Sequence, residues 1–121
     1  MKAIVLPLLL ACPLSWAQPA PSEFPDGAAA VTPESLKGFV SDKVFAVNAS
    51  KGPPWRLQFN ADGLFYVNIG YFSDTGRWTI KDGSLCTEAP KIRPSCNEVR
   101  AKGQELYLKR DNGEIVKLEP R

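Results

Sequence analysis

The chain has 121 residues, with 15 basic and 13 acidic side chains and no histidine. That length fits one domain. The near-neutral balance offers no basic stripe for nucleic acid, and without histidine neither a Ser-His-Asp nor a Cys-His catalytic arrangement can be built.

The N-terminal run "MKAIVLPLLLACPLSWA" places Lys2 before an apolar stretch, Ala3 to Leu14. The stretch is too short to span a bilayer, which needs about 20 apolar residues. It matches the h-region of a signal peptide, and Ser15 and Ala17 supply small residues at the cleavage site. The expectation is a signal peptide over 1–17, a mature chain starting at Gln18 without a transmembrane segment, and a periplasmic or secreted location. A second exported reading exists. "LLAC", Leu9 to Cys12, resembles a bacterial lipobox, which would make Cys12 a lipid anchor. Either reading leaves Cys86 and Cys96 as an even pair.

Residues 18–31, "QPAPSEFPDGAAAV", are rich in proline and alanine and read as a disordered leader. One β-rich domain is expected over 32–121, opening with a short helix. Thr32 can cap it, Pro33 suits its first position, and Glu34 faces the positive end of the dipole. Leu36, Phe39 and Val40 share one face, and the helix breaks near Ser41.

The period then changes from helix to strand. "KVFAV" is a first apolar run. In "WRLQF", Trp55, Leu57 and Phe59 alternate with Arg56 and Gln58. "NADG" reads as a turn. "LFYVNIGYF" places Phe65, Val67, Ile69 and Tyr71 on one side, and "SDTG" reads as the next turn. "RWTI" presents Trp78 and Ile80, "KDG" turns, and "SLCT" is a short strand ending at a cysteine-closed loop. "CNEVRA" leaves that loop, "KGQ" turns into "ELYLKR", and "DNG" is a strong hairpin signal before "EIVKLEP". No helix between these runs is long enough for a parallel crossover. The expected fold is all-β: an antiparallel meander of six to eight short strands forming a small barrel or half-barrel, with one short N-terminal helix.

Cys86 and Cys96 are expected to form a disulfide, because exported proteins live where disulfides persist. The spacing C-x₉-C without histidine suits neither a zinc set nor a C-x-x-C redox motif, so no metal and no cofactor are expected. Asp62, Asp74, Asp82 and Asp111 sit beside or near glycines, where aspartate serves turn geometry. Glu88 and Glu98 read as solvated surface. No catalytic residue is assigned, and the chain is not expected to be an enzyme. Aromatic residues crowd the stretch from Trp55 to Trp78. Trp55 and Trp78 are expected in the core. Phe65–Tyr66 and Tyr71–Phe72 are adjacent, and strand neighbours face opposite sides. Tyr66 and Phe72 are therefore the candidate contact surface.

The sequence "WRLQFNADGLFYV…DTGRWTIKDGSLC…SCNEVRAKGQELYLKR" resembles short, uncharacterised exported bacterial β-domain proteins. They share an F-x-x-D-G turn, a G-x-W strand, a D-G turn into L-C, then C-x-x-V and a final hairpin. The stretch from Val44 to Leu118 is also loosely similar to the lipocalin-like META domain outline. The resemblance implies a fold and brings no catalytic residues. The expected function is a periplasmic or secreted binding or interaction module, its partner an unknown protein or small ligand. The alternative is an inhibitor of a secreted hydrolase such as a lysozyme, presenting the constrained segment Thr87 to Ser95.

Overall fold

The computed structural model describes residues 21–121. A two-residue strand β1 (Ala29–Ala30) precedes helix α1 (Pro33–Val40). Eight strands follow: β2 (Lys43–Val47), β3 (Trp55–Phe59), β4 (Leu64–Ile69), β5 (Phe72–Lys81), β6 (Ser84–Ala89), β7 (Ile92–Lys102), β8 (Glu105–Lys109) and β9 (Ile115–Pro120). Each of these eight pairs antiparallel with the next, and β9 returns to β2 through Phe45 opposite Pro120 and Ala46 opposite Glu119. The meander therefore closes into an eight-stranded barrel, which removes the free edges an open sheet would leave.

Six of the eight strands are only five or six residues long. Alternation decides what each contributes. Phe45, Val47, Leu57, Phe59, Phe65, Val67, Leu85, Leu106 and Leu118 point inward and are buried, while their neighbours face solvent. Phe59 is the hub. Its ring stacks on Phe65 at 5.3 Å and meets the edge of Trp78 at 5.7 Å.

Helix α1 forms where its signals stand. Thr32 Oγ1 accepts the Ser35 N–H (3.1 Å), and Pro33 opens the first turn. Its Leu36 and Val40 are fully buried, and the helix packs against β2 and β5. It stoppers the end of the barrel where the β3–β4, β5–β6 and β7–β8 turns lie. The opposite end, ringed by the β2–β3, β4–β5, β6–β7 and β8–β9 connections, carries no helix.

Several boundaries differ from the sequence expectation. "LFYVNIGYF" is not one strand: the chain reverses at Gly70–Tyr71, where Gly70 takes φ 61°. Tyr71, expected to face inward, is at this hairpin tip and fully exposed. "SDTG", expected as a turn, runs inside β5. There Asp74 accepts the Thr75 N–H (3.0 Å) and, with its other oxygen, the Lys91 N–H (2.6 Å). Gly76 lies directly across from Phe65, and a Cβ on it would sit 2.7 Å from Ala89 Cα and collide with the Glu88 carbonyl. Its glycine serves the close approach of β6, not a turn.

The cysteine-closed loop is also strand. Cys86 and Cys96 are directly opposed partners within the β6–β7 hairpin, bonded to each other with Cα atoms 3.9 Å apart. Both strands continue past them to a turn at Pro90–Lys91. Pro94 suggested a loop because proline donates no ladder bond, but it falls where the β6–β7 register slips between Thr87 and Ala89. A bulge tolerates the missing N–H.

Residues 21–31, expected to be disordered, are fastened to the barrel at three places. Pro21 O accepts the Ile115 N–H (2.8 Å), Arg100 stacks over Phe24 at 4.6 Å, and Ala29–Ala30 pair with Ala101 and Arg100. Composition missed this because most of the anchors are backbone groups and one cation–π contact, with Val31 the single aliphatic of the segment packed against the core. The signal-peptide, Cys12 and Gln18 expectations lie outside the described residues. Among the described residues no helix is long and apolar enough to cross a membrane.

Candidate functional site: the open cup of the barrel

The unstoppered end opens into a cavity of about 330 Å³. Its floor is aliphatic and aromatic: Leu57, Phe59, Phe65, Val67 and Leu85. These are the inward positions of β3, β4 and β6, whose rings and branches stop short of filling the upper barrel. Trp55, Ile69, Ile92 and Leu108 continue the apolar wall toward the mouth. The polar lining is confined to one arc, from Thr87, Ser95 and Asn97 on the β6–β7 hairpin to Arg110, Asp111 and Asn112 after β8. A mostly apolar concavity with a few grouped polar atoms is the usual form of a small-molecule site.

Hydrogen bonds fix the arc. Ser95 Oγ donates to Asn97 Oδ1 (3.0 Å), and Asn97 Nδ2 donates to Lys109 O (2.9 Å) and to Asp111 Oδ1 (2.8 Å). The side chain of Asn97 thus ties β7 to the β8–β9 connection. Arg110 is held from two sides. Its guanidinium pairs with Glu114, and its carbon lies 4.7 Å from the Trp55 ring centroid.

Glu114 is the one charged side chain buried among the described residues. Besides Arg110 it accepts the Ser50 N–H (2.8 Å), so a single carboxylate latches the β2–β3 loop to the β8–β9 loop across the mouth. The Ser50 N–H foremost, with the Arg110 guanidinium adding to it, holds this carboxyl below its ordinary value of 4.5, against the opposing pull of burial. A carboxyl with a depressed folded-state pKa stabilises above its unfolded value, and that contribution is lost as pH falls through the lower folded value. Glu114→Gln is accordingly expected to lose about 1.5 kcal/mol at pH 7. The gap to wild type should close as pH drops below 4.5. Denaturant unfolding of both proteins at pH 7 and at successively lower pH checks this; a gap that stays constant would show that the Glu114 charge contributes nothing.

The candidate contact residues Tyr66 and Phe72 do not line the cup. Trp55 is at the mouth and half-buried, not in the core; Trp78 is in the core. Tyr66 stands half-buried opposite Gln58 and Thr75. Phe72 pairs with Ile69, packs against the core and carries Lys91 at 5.9 Å from its ring. By strand alternation Tyr66 and Phe72 face opposite sides of the wall, so they do not make one patch. Cys86 and Cys96 lie on the outer surface, because their neighbours Leu85, Ser95 and Asn97 take the inner one. Sequence reading missed Asn97, Arg110 and Glu114. The available signal was a carboxylate immediately after the "DNG" turn with a cation four residues before it, bracketing the hairpin.

Fold and site together define a small closed antiparallel β-barrel with one end stoppered by a helix and an apolar cup at the other. Protein-family models, curated proteins and solved structures give no match to this chain.

Proposed function

We propose that this chain is an exported binding module that takes a small, largely apolar ligand into the barrel cup. The observation that carries this reading is the unfilled upper barrel, about 330 Å³ bounded by Leu57, Phe59, Phe65, Val67 and Leu85. Burying apolar surface contributes about 25 cal/mol per Å², so a ligand covering that floor is held chiefly by the hydrophobic effect. The latch through Glu114 and the Asn97 bridge hold the mouth in shape, which spares the ligand the cost of ordering it. The disulfide and the signal-peptide pattern support export, and the lipocalin-like outline of the sequence supports a cup-type binder. An inhibitor would need Thr87 to Ser95 as a projecting wedge, but the turn of that hairpin is tied back to Asp74.

Filling the cup from its rim is the test. Ile69→Trp adds an indole to a half-buried position at the mouth. It is expected to weaken binding of an environment-sensitive apolar dye at least about tenfold, equivalent to about 1.4 kcal/mol, with little change in the unfolding midpoint. Undiminished dye binding in the variant would place the ligand outside the barrel.

A further inference from the structure

Two charged side chains line the cup, Arg110 and Asp111. They are not equally available. The Arg110 charge is answered by Glu114 and its face is spread over Trp55. Asp111 has no ion-pair partner among the described residues. One of its carboxylate oxygens accepts from Asn97 (2.8 Å), and no hydrogen bond from the described residues occupies the other. Of the other cations at this end, Lys91 donates to Ser73 O (3.3 Å) beside Phe72, and neither it, Lys51 nor Arg93 lines the cavity. Among the described residues the lining therefore carries one uncompensated negative charge, placed at the rim above an apolar floor.

Resting on the cup-binding reading, we infer that the preferred ligand is a hydrophobic amine. Its apolar body lies against Phe59, Phe65 and Leu85, and its protonated nitrogen meets Asp111. Size agrees. A cavity of about 150 Å³ lined by aliphatic and aromatic side chains holds benzene, so 330 Å³ takes two fused rings or a phenyl group with a short chain. Position agrees as well. An ammonium at the rim keeps part of its hydration, so it gains attraction from Asp111 without the desolvation penalty that a charge on the floor would incur.

The preference is measured by calorimetry with three probes of one shape: 1-naphthylmethylamine, 1-naphthylmethanol and 1-naphthoate, at pH 7 and low salt. The amine is expected to bind about threefold to fivefold more tightly than the alcohol, the range of a partly solvated ion pair, and the carboxylate more weakly than both. Added salt should narrow the gap. Asp111→Asn keeps an acceptor for Asn97 but removes the charge, and should bring amine and alcohol to within about a factor of two. Equal binding of all three probes by the wild type, or an amine preference that survives Asp111→Asn, would overturn the amine assignment while leaving the cup as a binding site. Tightest binding of 1-naphthoate would overturn it in favour of Arg110. Binding of none of the three would overturn the binding-module reading together with it.

Discussion

Trp78→Ala is expected to lower the unfolding free energy by about 3–5 kcal/mol, the cost of deleting a large buried aromatic. A domain of this size has only about 5–15 kcal/mol in all. Three losses add together. The indole is 6% exposed, so its removal leaves a void next to Phe59. The edge-on contact with Phe59 disappears. The indole N–H donates to Asn60 O (2.8 Å), and that carbonyl in the β3–β4 turn loses one of its two donors, keeping only the Gly63 N–H (2.9 Å). Trp55→Ala should cost far less, about 1 kcal/mol, because its ring is half-buried at the mouth and its main partner, Arg110, keeps Glu114. Denaturant midpoints of the two variants decide it. Equal losses would mean that the mouth is as tightly packed as the stoppered end, which would leave the cup no room for a ligand.

The Cys86→Ser, Cys96→Ser double variant is expected to lose about 2–3 kcal/mol, because its unfolded chain regains the freedom of a closed loop. The value belongs at the lower end of the usual range for a physical reason. The cysteines face each other inside a paired hairpin, flanked by Leu85 opposite Asn97 and Thr87 opposite Ser95. Asp74 additionally holds the Lys91 turn. The reduced chain thus keeps several constraints that bring the two strands together. The variant should retain a β-type spectrum, because Phe59, Phe65 and Trp78 lie on strands outside the bridge. Thiol labelling of native wild-type protein should find Cys86 and Cys96 unreactive. A loss below about 0.5 kcal/mol would mean that the hairpin persists in the unfolded ensemble without its bridge.

Local signals determined much of this protein. The period-2 pattern of "KVFAV" and "WRLQF" fixed β2 and β3 to the residue, because one face of each must be apolar and the other wet. Thr32 and Pro33 fixed the start of α1 through the chemistry of a helix N-terminus. The "KDG", "KGQ" and "DNG" turns fell as expected, since glycine and aspartate relieve strained backbone wherever they stand. The pairing of Cys86 with Cys96 was also legible from count and compartment.

What the tertiary structure alone decided involves residues that meet from distant strands. "SDTG" looks like a turn in isolation; only the approach of Glu88 and Ala89 to Gly76 shows why a strand needs glycine there. Tyr71 follows the alternation of β4 until Gly70 reverses the chain, and which glycine does so depends on register with β5. Residues 21–31 show no strand or helix periodicity, yet contacts to Arg100, Ala101 and Ile115 fasten them to the barrel. The cup is the clearest case. No spacing in the sequence announces that Leu57, Phe65 and Leu85 leave space between them, or that Glu114 reaches Ser50 across the mouth. Periodicity assigns a side chain to a face; whether that face is filled or hollow depends on how eight strands curve around a common axis, and that is set only when β9 meets β2.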